Sequence, residues 1–201
     1  MKTSSVREQL LEHASVLMRR RGYNGFSYRD LAELVGVKTS SIHYYFPSKD
    51  DLVLEVVHQY RQTSVARLAA IDTSLPLIEQ ARKYVLPLSN GIDLGQICLI
   101  GMLAAEVMVL PQAVRGLLQE HFQANENFIA DMLRRAEAER GQQYPVPPQL
   151  LAKVLYGAIQ NGLITARMSG SNDRIDAAAN MLIGAVGGSM CAIEEHEAVA
   201  A

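Results

Sequence analysis

Apolar residues fall at intervals of three and four along most of the chain, and no segment alternates apolar and polar positions over the length of a strand. Near the start, Val6, Leu10, Ala14, Leu17 and Met18 form one stripe behind a Ser5-x-x-Glu8 capping box and ahead of Gly22, predicting a helix over about 5–21. A second box, Ser27-x-x-Asp30, opens a short helix carrying Leu31, Ala32, Leu34 and Val35, which Gly36 closes through a left-handed turn. A third helix turns Ile42, Tyr45 and Phe46 inward and stops at Pro47. Ser48-x-x-Asp51 then starts a long helix through Leu52, Val56 and Tyr60 to about Ile71. Beyond it, "DTSLP", "SNGIDLG", "GQQYPVPP" and "SGSND" separate helices expected over about 75–89, 95–110, 112–140, 148–169 and 173–194. The fold class is therefore all-α: an N-terminal three-helix unit over 1–47, then a larger helical domain over 48–201.

With 201 residues, 49% of them hydrophobic, the chain can bury a substantial core. Its two cysteines, Cys98 and Cys191, are too few and too far apart for a disulfide framework or a zinc module, which suits a reducing cytoplasm. Glu8, Glu12 and His13 interrupt the N-terminus, and no uncharged apolar run approaches roughly 18 residues, so neither a signal peptide nor a membrane span is expected. A net charge of −2 argues against a generic polyanion binder. The charge is uneven, however: residues 1–49 hold eight Lys or Arg against four Asp or Glu, and the remainder 11 against 17. A basic head on an acidic body provides phosphate contacts at one end only.

That head contains "GVKTSSIHYYFPSKDDL", residues 36–52. A helix-turn-helix needs a small residue inside its first helix, a glycine at the turn and apolar residues on the inner face of its second, and Ala32, Gly36, Val37 and Ile42 occupy those places in order. The outer positions Lys38, Thr39, Ser40, Ser41, His43 and Tyr44 include no acid. Short hydroxyls and a lysine at a helix start are groups that reach base edges and phosphates in a major groove.

Over about residues 5–60 the chain resembles the DNA-binding segment of the TetR family of transcriptional repressors. Gly36, Tyr45, Phe46, Pro47, Ser48 and Lys49 keep the family pattern, while His43 stands where tyrosine is commonest and Ser40 where glycine is common. The resemblance implies a double-stranded operator met by Ser27, Lys38, Thr39, Ser40, Ser41, His43, Tyr44 and Lys49. Within that set Lys49 is expected on a phosphate, with Phe46 in the core and Tyr45 packing. Ser40 either reads a base or fills space.

One recognition helix buries little surface, so a homodimer on a palindromic operator is expected. The last two helices, "LLAKVLYGAIQNGLITARM" and "DAAANMLIGAVGGSMCAI", are nearly uncharged and rich in Ala and Gly, and suit a four-helix interface made by two copies. In the family the middle helices enclose a small-molecule inducer. The candidates for that site are Met102, Glu106, Phe122, Asn125, Phe128 and Tyr156, with Met108 beside them. Asn125 and Glu106 interrupt apolar stripes, and each is either satisfied internally or turned to a ligand.

Cys98 offers an alternative trigger. A helix starting near Gly95 would put its thiol in the first turn, where amide dipoles favour a reactive thiolate open to covalent modification, although the flanking Ile97, Leu99 and Ile100 fit an inert core residue equally. The chain has no phosphate loop, Gly-x-Ser-x-Gly elbow or His-Glu-x-x-His pair, so no enzyme activity, catalytic residue, cofactor or metal is expected. A helical interaction protein that reads no DNA is opposed by the acid-free outer face of residues 38–44.

Overall fold

The structure, a computed structural model, describes residues 5–89 and 95–188. Among them the elements are α1 (Val6–Arg21), α2 (Tyr28–Val35), α3 (Thr39–Tyr45), α4 (Lys49–Ala69), α5 (Leu77–Ser89), α6 (Leu99–Ala104), a 3-10 turn (Val107–Val109), α7 (Gln112–Arg140), α8 (Pro148–Ser169) and α9 (Asp173–Gly187), with no strand. All three capping boxes form at the starts of α1, α2 and α4. Helix α3 alone in the head has no side-chain cap; Lys38 occupies its N-cap position. Gly36 ends α2 at φ 75°, ψ 32°, a left-handed conformation that lets the chain turn tightly into α3.

One hydrophobic core runs continuously from head to body. Leu10, Ala14 and Met18 of α1, Leu31 of α2, Ile42 of α3 and Leu52 and Val53 of α4 have no exposed surface. Phe46 is buried as expected, but Tyr45 is exposed and rests edge-on against Tyr44, ring centres 5.1 Å apart. Ile42 and Phe46 fill the inner face of this two-turn helix, which leaves Tyr45 at its margin.

The expected single helix over 95–110 is instead a short helix and a 3-10 turn. The side chain of Arg19 on α1 donates through Nε to the Ile97 carbonyl and through Nη1 to Gln96 Oε1, both at 2.9 Å, and the Arg19 carbonyl accepts from the Ile97 amide at 3.5 Å. These bonds hold Gln96 and Ile97 outside a helix, so α6 begins only at Leu99. Helices α7 and α8 keep their expected bounds, and α9 is described to Gly187; the rest of the expected 173–194 helix, with Cys191, lies outside the described residues.

Candidate functional site

Helix α3 stands on a rigid base. Tyr28 of α2 donates its hydroxyl to the carbonyls of Phe46 and Ser48, at 3.0 and 2.5 Å, fastening α2 to the corner that joins α3 to α4. His43 sets its ring edge against Tyr28, with centres 4.9 Å apart, and its Nδ1 lies 3.1 Å from the Pro47 carbonyl. Lys38, Thr39, Ser40 and Tyr44 project into solvent, Tyr44 with 82% of its surface exposed, and Ser41 is half-buried. An exposed aromatic flanked by hydroxyls and a lysine forms a contact surface with no apolar core to fill. Ser27 differs from the others, since its hydroxyl is engaged with the Asp30 carboxylate at 2.5 Å in the α2 cap, a bond that also holds the Asp30 carboxyl below the usual carboxylate range.

Lys49 is enclosed. Its Nζ donates to the Phe26 carbonyl at 2.5 Å and lies 4.2 Å and 4.8 Å from the ring centres of Phe26 and Tyr23. Burial lowers its pKa from the ordinary lysine value, opposed by the negative charges of Glu106, Asp30 and Asp50. Tyr23 in turn donates its hydroxyl to Asp50 at 2.6 Å; burial foremost, then Asp50, pushes its pKa up to about 12.

Glu106 does not join the other ligand candidates. The break after Ala104 turns its carboxylate out to the head, where it accepts the backbone amides of Tyr23 and Asn24, at 2.5 and 3.3 Å, and the Asn24 side-chain amide at 3.3 Å. Met108, in the 3-10 turn, is 81% exposed and lines no interior cavity. Met102 is half-buried on α6.

The structure brings Phe122, Asn125, Phe128 and Tyr156 together with residues the sequence did not single out. Tyr84 of α5 stacks on Phe128 of α7 at 5.4 Å and donates its hydroxyl to Asn125 Oδ1 at 3.1 Å, while Asn125 donates to the His121 carbonyl at 2.9 Å. Tyr156 of α8 meets Phe122 edge-on at 5.4 Å and accepts from Gln160 Nε2 at 2.9 Å. Tyr60 of α4 donates to Cys98 Sγ at 3.6 Å, and its ring lies 6.0 Å from that of His121. The Gln160 carbonyl oxygen is buried with no hydrogen-bond partner and faces Gly101 of α6, where an added Cβ would come within 2.6 Å of it.

This interior rejects charge. Burial pushes the phenols of Tyr60, Tyr84 and Tyr156 well above their ordinary pKa and, aided by Arg67 and Arg61, lowers His121 to about 4. The gap beside Asn125 and Tyr84 measures only ≈ 20 Å³, room for about one water. Two larger hollows, ≈ 290 Å³ between α1 and α4 and ≈ 500 Å³ between α5 and α9, are open surface grooves that include none of the six ligand candidates. Cys98 precedes α6 rather than sitting in its first turn and is buried beneath Tyr60.

On the far side, α8 exposes Leu150, Val154, Ile164 and Met168 at helical spacing, and α9 exposes Met181. Gly157 and Gly184 have open space where a side chain would be, so both backbones are free to be approached closely from outside. No described helix is long and apolar enough to cross a membrane.

Two family models match the chain: the bacterial regulatory proteins of the tetR family over residues 10–56, and the tetracyclin repressor-like C-terminal domain over residues 87–182. The chain is 27% identical over 139 residues to the HTH-type transcriptional repressor LfrR of Mycolicibacterium smegmatis, covering 69% of this chain and 68% of that protein. It is 29% identical over 178 residues to the HTH-type transcriptional repressor BdcR of Escherichia coli, covering 81% and 86% respectively. A TetR transcriptional regulator of Legionella pneumophila has the same fold, with a TM-score of 0.81 at 27% identity over 90% of this chain and 97% of that one. Family models at both ends, the capped helix-turn-helix and the helical body agree: the chain belongs to the TetR family of DNA-binding transcriptional regulators, proteins that control transcription rather than catalyse reactions.

Proposed function

We propose that this protein is a ligand-responsive transcriptional repressor that binds a palindromic operator as a homodimer in the cytoplasm and leaves it when a small molecule enters the body. The observation that carries the DNA-reading part is the solvent-facing set Lys38, Thr39, Ser40 and Tyr44 on a recognition helix whose opposite face, at Ile42, is fully buried. Thr39 and Ser40 read bases, Ser41, His43 and Tyr44 assist along the groove, Lys38 and Lys49 meet phosphates, and Ser27 caps α2 close to the backbone. The reading head spans 1–47 and the responding body 48–201. Dimerisation through α8 and α9 is supported by the exposed stripe from Leu150 to Met168, because an apolar face of that length is covered in most soluble proteins.

The inducer site is the interior lined by Met102, Phe122, Asn125, Phe128 and Tyr156 together with Tyr84, His121 and Gln160. Its support is the unpaired Gln160 carbonyl, an acceptor that a ligand donor would satisfy. The matching inducer is uncharged, aromatic or apolar, and carries a hydroxyl or N–H group. Since the gap beside Asn125 and Tyr84 is too small for such a molecule, binding there must favour a second arrangement of the helices and shift the population away from the operator-competent one. Selection of bound sites from random-sequence DNA tests the reading: a two-fold symmetric consensus is expected, and recovery of no consensus would overturn it.

A further inference from the structure

We propose that Glu106 is a positioning residue for DNA binding, acting through the turn at residues 22–26 to set where Lys49 sits. The inference rests on the reading of Lys49 as a phosphate contact. The turn has two attachments. On the body side, the Glu106 carboxylate accepts the Tyr23 and Asn24 amides and lies where a side chain on Gly22, at φ 79°, would have to be. On the head side, Phe26 and Tyr23 enclose the Lys49 ammonium, and Tyr23 is bonded to Asp50 in the same first turn of α4. Lys49 therefore has two sets of partners: the Phe26 carbonyl and two rings inside the protein, or a backbone phosphate outside it. A shift of Glu106 moves the turn that forms the inner set.

Glu106 also lies two residues beyond α6, and α6 abuts the proposed ligand core through Gly101, packed against Gln160, while Cys98 at its N-cap accepts from Tyr60. Further ties to α1 lie at the two flanks: Arg19 holds Gln96 and Ile97, and Arg167 of α8 donates to the Arg20 carbonyl at 2.5 Å. The end of α1 and the turn after it are thus held by the body from several sides. Of these ties, only the Glu106 carboxylate holds the amides of the turn that encloses Lys49, which makes it the one that can pass the state of the core to a phosphate-binding lysine.

The test is a double-mutant cycle on the operator selected from random DNA, with E106A, E106Q, K49A and E106A/K49A titrated at several salt concentrations and their melting recorded. E106A is expected to weaken operator binding about tenfold in the wild-type background and less than about twofold in K49A, because its effect passes through the lysine. E106Q keeps one of the two acceptor oxygens, enough for the short bond to the Tyr23 amide but not for the Asn24 groups on the other oxygen, so it is expected to retain binding within about threefold of wild type. Amide exchange at Tyr23 and Asn24 should quicken in E106A, and exchange at Tyr23 should stay slow in E106Q. Equal costs in both backgrounds, an E106Q as damaging as E106A, or unchanged exchange in E106A would each overturn the proposal. A K49A protein with the salt dependence of wild type would show that the phosphate reading of Lys49 is what failed, and this inference with it.

Discussion

Lys49 Nζ donates to the carbonyl oxygen of Phe26, 2.5 Å away, with the ammonium over the face of the same residue's ring. A lysine at the first position of α4 is thereby held partly out of water before any phosphate is near it. If Lys49 meets a phosphate as proposed, it exchanges a cation–π and carbonyl environment for that contact, which lowers the net gain but leaves its counterion release intact.

Lys49→Ala should therefore weaken DNA binding by a similar factor on every sequence and reduce the salt slope by about one unit per half-site. Thr39→Ala and Ser40→Ala should instead relax base preference at particular positions. The check is site selection followed by titration from low to high salt. A changed consensus with an unchanged slope for Lys49→Ala would reverse the two assignments.

The depressed pKa of His121 has a consequence for acid stability. Its folded value of about 4 lies below the ordinary 6.5, because burial and then the cations Arg67 and Arg61 disfavour the imidazolium. The unfolded chain therefore takes up a proton first as pH falls. The neutral form's contribution is complete above pH 6.5 and is lost progressively toward pH 4, by roughly 3 kcal/mol in all. His121→Leu should flatten the stability profile across that window in denaturant titrations, and an unchanged slope would mean that His121 titrates alike in the native and unfolded chains.

The head is readable in the sequence because its signals are local. Each capping box joins residues three apart, and Gly36 and Pro47 mark turns through their own backbone preferences. Helices α7 and α8 are delimited in the same way by Pro111 with Gly141 and by Pro147 with Gly170. The segment 95–110 reads as one helix because its break depends on Arg19, 78 positions earlier. Glu106 reads as a ligand candidate for the same reason, its amide partners lying 82 and 83 residues away. Tyr60, Tyr84, His121 and Gln160 stand at ordinary stripe positions, and only their convergence from α4, α5, α7 and α8 makes them a polar interior. A histidine and an asparagine four apart on one apolar face, His121 and Asn125, are the one local hint of it.

Val154 supplies a test of the dimer with little risk to the fold, since 62% of its surface is exposed in the single chain. Val154→Asp places a carboxylate in the middle of the apolar stripe of α8. If two copies meet there, the dimer dissociation constant should rise by at least about 100-fold while the helical content of the monomer is retained. Sedimentation and operator titration should change together, because a monomer presents only one half-site reader. A self-association unaltered by this change would rule out the proposed interface on α8.

If the proposed inducer enters this interior, it belongs to one chemical class, because the buried phenols and imidazole there disfavour charge. In a screen of uncharged phenols, amides and alcohols alongside matched carboxylates, compounds that release wild-type protein from its operator should come from the uncharged group. The nearest cations, Arg61 and Arg67, are felt by His121, but Arg61 is already paired with Glu120 at 2.6 Å, and the phenols around the site resist ionisation. Gln160→Met should then separate response from stability. Relief of the unpaired carbonyl offsets the lost bond to Tyr156, so stability should change by less than about 1 kcal/mol. The concentration of an active compound needed for release should nonetheless rise about tenfold, the cost of one hydrogen bond in a dry site. Carboxylates as the only active class, or a Gln160→Met protein that responds like wild type, would place the inducer somewhere other than this core.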